Sequence, residues 1–262
     1  MSEEGASEPA RSPRGVLKRA RMLRTARELG MELFVVALGV LIALWAQQWA
    51  EGRSWREKKS AALDAIGVEI ADQYDSAVEW RLVEPCLLSQ IDTLRQRVLT
   101  SPGRLVPAPL FADSWRGTFV VRMPDRSYED GAWQRAISDG VASRLDRKVR
   151  FELDGAYAAT RLLNDLTAQN RAAQERLLSL SQPLPLDPGT RLSLLQEIDQ
   201  LRGRITFMDL VMAQALDHWR TAGVLPPLRR AQTASTLKGT RLFCRTHGLQ
   251  VRTLAEAIST GD

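Results

Sequence analysis

Histidine and cysteine are scarce in this chain, which has two of each among 262 residues. Cys244 and His247 have ligand-like spacing, Cys86 is a third donor, and His218 is the one histidine that remains. Zinc sites usually take four such donors, so a site would need nearly all of them. We therefore predict no metal site and no cofactor.

Catalytic signatures are also missing. The sequence has no Ser-His-Asp, HExxH, P-loop or GxGxxG pattern. Acids do occur in pairs, such as Glu129 and Asp130, but neighbouring residues face different sides of a helix and cannot share a proton. We predict that the protein is not an enzyme.

Lysine occurs at only five of the 36 basic positions, so arginine dominates the basic residues, and the net charge is +5. Compositional bias explains this better than phosphate recognition does. The charge is concentrated near the N-terminus, where residues 11–27 hold seven cations and no acid. Because an apolar run follows closely, we interpret this tail as binding anionic lipid headgroups, and we predict no nucleic-acid partner.

One apolar run stands out, at residues 33–46, where nine of the fourteen residues are Leu, Ile, Val or Phe. By length alone it fits a buried helix or a signal peptide equally well. Trp45, Trp49 and Trp55 follow it, and indoles prefer the membrane interface. Since no small-x-small cleavage site ends the run, we predict a retained transmembrane helix at residues 29–50 and a lipid bilayer as partner.

The charges that flank this run predict its orientation. Seven cations precede it, whereas four cations mixed with two acids follow it between residues 51 and 59. By the positive-inside bias, the richer side stays in the cytoplasm. We predict a basic cytoplasmic tail at residues 1–28 and a periplasmic domain at residues 51–262, anchored in the bacterial inner membrane.

Small residues recur at helical spacing within the run. Gly39, Ala43 and Ala46 lie on one face, and Gly39-x-x-x-Ala43 is a small-xxx-small pair. Such a face lets two helices approach closely, which would make a homodimer. Ordinary composition explains the same pattern, so both interpretations stay open.

The residues around this run resemble a family. Glu32, Gly39 and the segment Val40 to Leu44 match an E-x(6)-G-[VI]-L-I-A-L core, and Trp49 and Glu51 match its exit. Trp133, Ser138, Gly140, Leu145 and Tyr157 give a second, looser match. The pattern is similar to an uncharacterised family of bacterial single-pass membrane proteins. That resemblance implies a membrane anchor before a helical domain, and it implies no activity.

Helical periodicity dominates the remainder, which predicts an all-α fold: a transmembrane helix that continues into a helical bundle. We expect Pro85 to break or kink the first helix and residues 111–130 to be irregular, with Thr190 as the N-cap of the helix after the 182–189 turn. The predicted helices cover residues 53–81, 88–98, 128–138, 142–180, 190–222, 230–245 and 248–260.

Cys86 and Cys244 lie on the predicted periplasmic side, where paired cysteines are oxidised. We predict a disulfide between them. The alternative is two buried thiols in a cytoplasmic domain, and that outcome would overturn the orientation.

Two functional hypotheses follow. The first is a membrane-anchored interaction, sensor or scaffold module with an unidentified protein or ligand partner. The second is a tethered envelope hydrolase with its site near residues 111–140. Of the four other tryptophans, Trp80, Trp133 and Trp219 are expected in the core. Trp115 lies in the least helical segment with Arg116 and Arg122, which makes these three residues a candidate ligand surface.

Overall fold

The computed structural model describes residues 14–113, 117–224 and 239–259, with the backbone alone for residues 14–30 and 113. These residues are mostly helical, and the fold class is all-α as predicted. The helices are α1 (Arg14–Thr100), α2 (Gly131–Ser138), α3 (Arg147–Leu177), α4 (Pro188–Ala222), α5 (Gly239–Thr246) and α6 (Leu254–Ile258), and two short strands are β1 (Phe111–Asp113) and β2 (Gly117–Phe119).

Helix α1 contains one segment that is long and apolar enough to cross a membrane. An 18-residue window has a mean hydropathy of 1.8, and none of it is buried inside the protein. Every residue from 31 to 50 is exposed, including the interfacial candidates Trp45 and Trp49 and the small residues Gly39, Ala43 and Ala46. Trp55 is half-buried.

The chain divides into two compact units, Met1–Glu57 and Lys58–Asp262, and the boundary falls inside α1. This boundary lies seven residues beyond the one that the sequence suggested at residue 51. The basic tail at residues 11–27 lies largely outside the residues whose side chains are described.

The second unit is built on a helical hairpin of α3 and α4. An ion pair joins Arg176 to Glu197 near the turn, and His218 pairs with Glu152 at the opposite ends, so the two helices run antiparallel. The part of α1 that follows Lys58 packs along this hairpin. Its buried residues Ile66, Ile70 and Ile91 belong to the same apolar core as Leu153, Leu163, Ile205 and Trp219.

The ends of the helices are set by side-chain caps. Asp146 accepts a bond from the Lys148 amide at the start of α3. Asp187 caps α4, because its carboxylate accepts from the amides of Gly189 and Thr190 and Pro188 occupies the first turn. The predicted cap at Thr190 is therefore wrong by three residues. Gly223 ends α4 with φ at +67°, a left-handed conformation that favours glycine.

Residues 104–113 and 117–130 are more ordered than the sequence predicted. β1 pairs antiparallel with β2, with Phe111 opposite Phe119. Residues 120–130 have no regular structure, but two amide side chains form hydrogen bonds with their backbone, as a neighbouring strand would. Gln90 accepts from the Arg122 amide and donates to its carbonyl, and Asn164 bonds both backbone groups of Tyr128 in the same way.

Helix α2 is fixed beside this segment by one carboxylate. Glu69 accepts hydrogen bonds from the Ala132 amide at 2.8 Å and from the Tyr157 hydroxyl at 2.6 Å. Burial is the main cause that raises the pKa of Tyr157, and the hydrogen bond to Glu69 is the second. The hydroxyl therefore stays protonated and donates. Its ring stacks on Trp133 with centroids 5.6 Å apart. Two residues of the looser family pattern, Trp133 and Tyr157, are thus core partners.

Candidate functional site

The predicted disulfide is present. Cys86 of α1 is bonded to Cys244 of α5 across 158 residues of sequence, and both residues are fully buried. Because its sulfur is used in this bond, Cys244 is not available as a metal ligand. Among the described residues, no group of three or more His, Cys, Asp or Glu side chains is arranged to hold a metal ion.

The disulfide lies next to an unusual point in α1. Pro85 is inside this helix, yet the helix continues to Thr100, so the predicted break does not occur. A proline has no amide hydrogen for the carbonyl four residues earlier, which here is that of Arg81. The guanidinium of Arg252 donates to this carbonyl at 3.0 Å, and the Arg252 amide donates to the Leu82 carbonyl at 2.9 Å. A distant residue therefore replaces the bond that Pro85 removes.

Residues 239–259, which we call the C-terminal clasp, are held to this point by charge as well. Arg252 binds Asp209 of α4 at 2.6 Å and Glu84 of α1 at 3.1 Å. Arg81 binds Asp209 at 3.3 Å and donates to the carbonyls of Ala257 and Ser259. These side chains are at most one-quarter exposed. The clasp thus joins α1 and α4 through a buried ionic cluster.

One carboxylate of this cluster, that of Glu84, has a shifted pKa. Burial raises the pKa of Glu84 above its ordinary value, and the charge of Arg252 opposes this only in part. Asp209 raises the pKa further, while Arg202 and Arg81 lower it. Glu84 therefore takes up a proton more readily than an ordinary glutamate does.

A small apolar groove lies beside the disulfide, with a volume of about 160 Å³. We call it the apolar groove, and its walls come from α1, from the segment around β1 and β2, and from the clasp. Phe111 meets Phe243 edge to face, with ring centroids 4.8 Å apart, and His247 lies 4.2 Å from Phe243. The complete lining is Gln90, Thr93, Leu94, Arg97, Pro109, Phe111, Val120, Phe243, His247 and Leu249.

A second depression of about 510 Å³, the charged groove, lies where the sequence predicted a ligand surface. Of the three predicted residues, Arg122 lines it, while Trp115 and Arg116 lie outside the described residues. The other charged residues of its lining are Asp125, Arg171 and Glu175.

The charged groove gives little support to a hydrolase. Such an enzyme needs two acids, one of which keeps a proton because its pKa is raised. Here Asp125 forms an ion pair with Arg171 at 2.7 Å. Its hydrogen bond, followed by its charge, raises the pKa of Arg171, and Glu175 acts in the same direction. Asp125 is therefore held in an ion pair, and Glu84, whose pKa is raised, lies on α1 outside residues 111–140.

His218 has two close contacts, with Glu152 and with Gly155. Its Nδ1 lies 2.8 Å from Glu152, and its ring packs against Gly155 so closely that an added Cβ would lie 2.9 Å from the ring. Trp80, Trp133 and Trp219 are buried in the core, as the sequence predicted.

Sequence reasoning missed the ionic cluster and the apolar groove. Arg81, Asp209 and Arg252 look like ordinary surface charges in the sequence, because no local pattern shows that three distant segments meet. The spacing of Phe243 and His247, one helical turn apart beside Cys244, was the one available signal. The overlapping pair Cys244 and His247 has ligand-like spacing in the sequence, whereas in the structure Cys244 is in the disulfide and Phe243 and His247 form an aromatic wall.

Comparison of this chain with protein-family models, with curated proteins and with solved structures gives no match. The likeness to uncharacterised single-pass membrane proteins therefore stays a prediction that depends on the residues around Gly39.

Proposed function

We propose that this protein is a non-enzymatic interaction or sensor module of the bacterial envelope. Helix α1 would anchor it in the inner membrane with the N-terminus in the cytoplasm and the unit Lys58–Asp262 in the periplasm. The observation that carries the proposal is the complete exposure of residues 31–50, because an exposed apolar stretch of this length suits a lipid environment.

Two further observations support the orientation. The cation-rich flank lies at residues 11–27, on the N-terminal side of the span. The Cys86–Cys244 bond belongs to the other side, and disulfides persist in oxidising compartments such as the periplasm. These two arguments are independent, since one uses charge and the other uses redox chemistry.

The use of the buried polar groups supports an interaction role over catalysis. In the described residues, Gln90 and Asn164 hold backbone segments, Glu69 fixes α2, and Arg81 and Arg252 fasten the clasp. These polar side chains are therefore committed to architecture. The surface, in contrast, offers exposed apolar side chains, among them Phe151 (69% exposed) and Leu242 (64% exposed).

Reporter fusions test the anchoring. A reporter that is active only in the periplasm, fused after Asp262, should be active, and the same reporter fused after Glu4 should not. A cytoplasmic reporter should give the reverse pattern. Activity of the cytoplasmic reporter after Asp262 would contradict the orientation.

Photo-crosslinking in living cells tests the interaction. A photoreactive residue at Phe151, Phe207 or Leu242 should give a discrete crosslinked product at one or more of these positions. Asp217, an exposed charged position on α4, is the matched control and should give none. Absence of a product at every apolar position, together with an unfolding midpoint that no envelope extract shifts, would contradict the proposal.

A further inference from the structure

Among the described residues that line the apolar groove, Arg97 is the one with a permanent charge. No carboxylate is found among the described residues of this lining. One terminal nitrogen of Arg97 donates to the carbonyls of Val106 and Pro107, at 3.4 and 3.0 Å. Its Nε is buried without a hydrogen-bond partner among the described residues. The groove therefore combines aromatic walls with a guanidinium that no described acid neutralises.

The other polar side chains of the groove are already engaged. Gln90 is bonded to the backbone of Arg122, and the Thr93 hydroxyl donates to the Ser89 carbonyl at 2.8 Å. His247 uses Nδ1 with the Phe243 carbonyl at 2.9 Å. Arg97 is thus the lining residue best able to fix the polar end of a ligand, and it selects an anion.

We propose that the apolar groove binds a small carboxylate carried by an aromatic ring or a short aliphatic chain. Its volume of about 160 Å³ is close to that of an apolar cavity known to accept a single benzene ring, roughly 150 Å³. The apolar part would lie against Phe111 and Phe243, and the carboxylate would pair with Arg97. The inference rests on the proposed function, for which it names the class of ligand.

Size and charge together exclude other classes of ligand. A nucleotide is too large for this volume. An ammonium compound suits aromatic walls, but the charge of Arg97 repels it. A neutral aromatic molecule fits the walls and leaves the guanidinium without an anion, so it should bind more weakly than the acid of the same shape.

The test uses the full chain in detergent micelles, with benzoate and hexanoate as probes and benzamide as the uncharged match of benzoate. Saturation-transfer NMR and calorimetric titration measure binding. For ligands of this size we expect a Kd on the order of 1 mM for benzoate, and for benzamide a Kd about tenfold weaker. Equal binding of benzoate and benzamide, or no binding of either acid, would overturn the proposal.

Variants locate the binding in the groove. Arg97→Gln should weaken benzoate about tenfold, whereas Arg97→Lys, which keeps the charge, should retain most of the affinity. Because Arg97 also supports the 106–107 carbonyls, a second variant is needed. Thr93 is exposed on α1 at the groove, so Thr93→Trp should block the groove without disturbing the core.

The control variant is Phe207→Ala, which alters an exposed ring on α4 outside the groove and should leave the Kd unchanged. Unchanged binding in both Arg97→Gln and Thr93→Trp would place the carboxylate elsewhere and refute the inference.

The ligand proposal and the proposed function can be rejected separately. Crosslinked partners without benzoate binding would reject the ligand class alone, whereas a periplasmic reporter that is inactive after Asp262 would reject the orientation alone.

Discussion

At the level of single residues, Arg252 shows why a proline is tolerated in the middle of α1. Its guanidinium donates to the carbonyl that Pro85 leaves without a helical partner, and it also binds Asp209 and Glu84. Three groups from two helices therefore depend on this one side chain. The cost of an interior proline, about 3 kcal/mol or more in an isolated helix, is thus offset by a residue 167 positions away.

The raised pKa of Glu84 makes stability depend on pH. In the unfolded chain this carboxyl titrates near its ordinary value of 4.5, and in the folded chain its pKa is higher. Between the two values the folded state binds more protons, so the free energy of unfolding should fall as the pH rises through this window. The contribution is fully present below pH 4.5 and lost above the pKa of the folded state.

Glu84→Gln should remove this part of the pH dependence, because an amide does not titrate. Urea unfolding of both proteins from about pH 4 to about pH 7 measures the slope. Glu57→Gln changes a carboxylate that is 69% exposed and should leave the slope as it is. An equal slope in wild type and Glu84→Gln would show that the cluster does not carry the effect.

Two glycines in helices should differ in how much stability they gain from substitution by alanine. Gly203 of α4 has nothing within 4 Å of an added Cβ, so Gly203→Ala should raise the free energy of unfolding by about 1 kcal/mol. At Gly155 the same methyl group would lie 2.9 Å from the His218 ring. Gly155→Ala should therefore gain less stability and displace His218 from Glu152.

Thermal unfolding of the two variants measures the difference, and the His218 ring resonances in NMR report the displacement. A His218 ring that keeps its resonances in Gly155→Ala would mean that α3 and α4 separate enough to admit the methyl group.

At the level of elements, the disulfide should protect the clasp from local opening far more than it protects the α3–α4 hairpin. In the chain-entropy account, a bridge across 158 residues contributes about 5 kcal/mol, chiefly by restricting the unfolded chain. In the double variant Cys86→Ser, Cys244→Ser, the amides of residues 240–258 should exchange hydrogen faster, because local opening no longer works against a covalent tie.

Hydrogen exchange followed by mass spectrometry measures this effect. Amides of α3 and α4 near Ala156 and Leu201, both fully buried, serve as the internal control and should change little. Equal loss of protection in all helices would mean that the unit opens only as a whole. Adding a reductant to the double variant should have no effect.

The elements that depend on local pattern could be predicted from the sequence. The spacing of apolar residues gave α3 and α4 to within a few residues, and Asp139-Gly140 correctly indicated the end of α2. The continuity of α1 could not be predicted, because it needs Arg252 from another part of the chain. The β1–β2 hairpin was missed since each strand has three residues, too few to show alternation.

Of the candidate site, the cysteine pair alone was predictable, and it was predicted from redox chemistry rather than geometry. The apolar groove could not be predicted from the sequence, because Leu94, Phe111 and Phe243 come from three segments that only the fold brings together. Arg97 in turn looks like an ordinary exposed charge on a helix. Its importance comes from the lack of a described acid beside it.

For the whole molecule, self-association through the membrane segment remains a prediction. Gly39 has nothing within 4 Å of an added Cβ, so Gly39→Leu should leave the fold intact. If a second copy packs against Gly39 and Ala43, the larger side chain should separate the two helices and lower the signal of a two-reporter association assay severalfold.

Val40→Leu, which adds bulk one residue away on a different face, is the matched control and should keep the signal. Association that is insensitive to Gly39→Leu would show that this face is not the contact. The monomer would then be the unit in the membrane.

The position of the two cysteines also affects how the protein is made. Cys86 leaves the ribosome 158 residues before Cys244, which at common rates of synthesis is a delay of about ten seconds or more. If the unit is exported as proposed, Cys86 waits as a lone thiol until Cys244 has followed it. A chain that terminates between the two cysteines would keep that thiol, and so would carry a chemical mark of its own truncation.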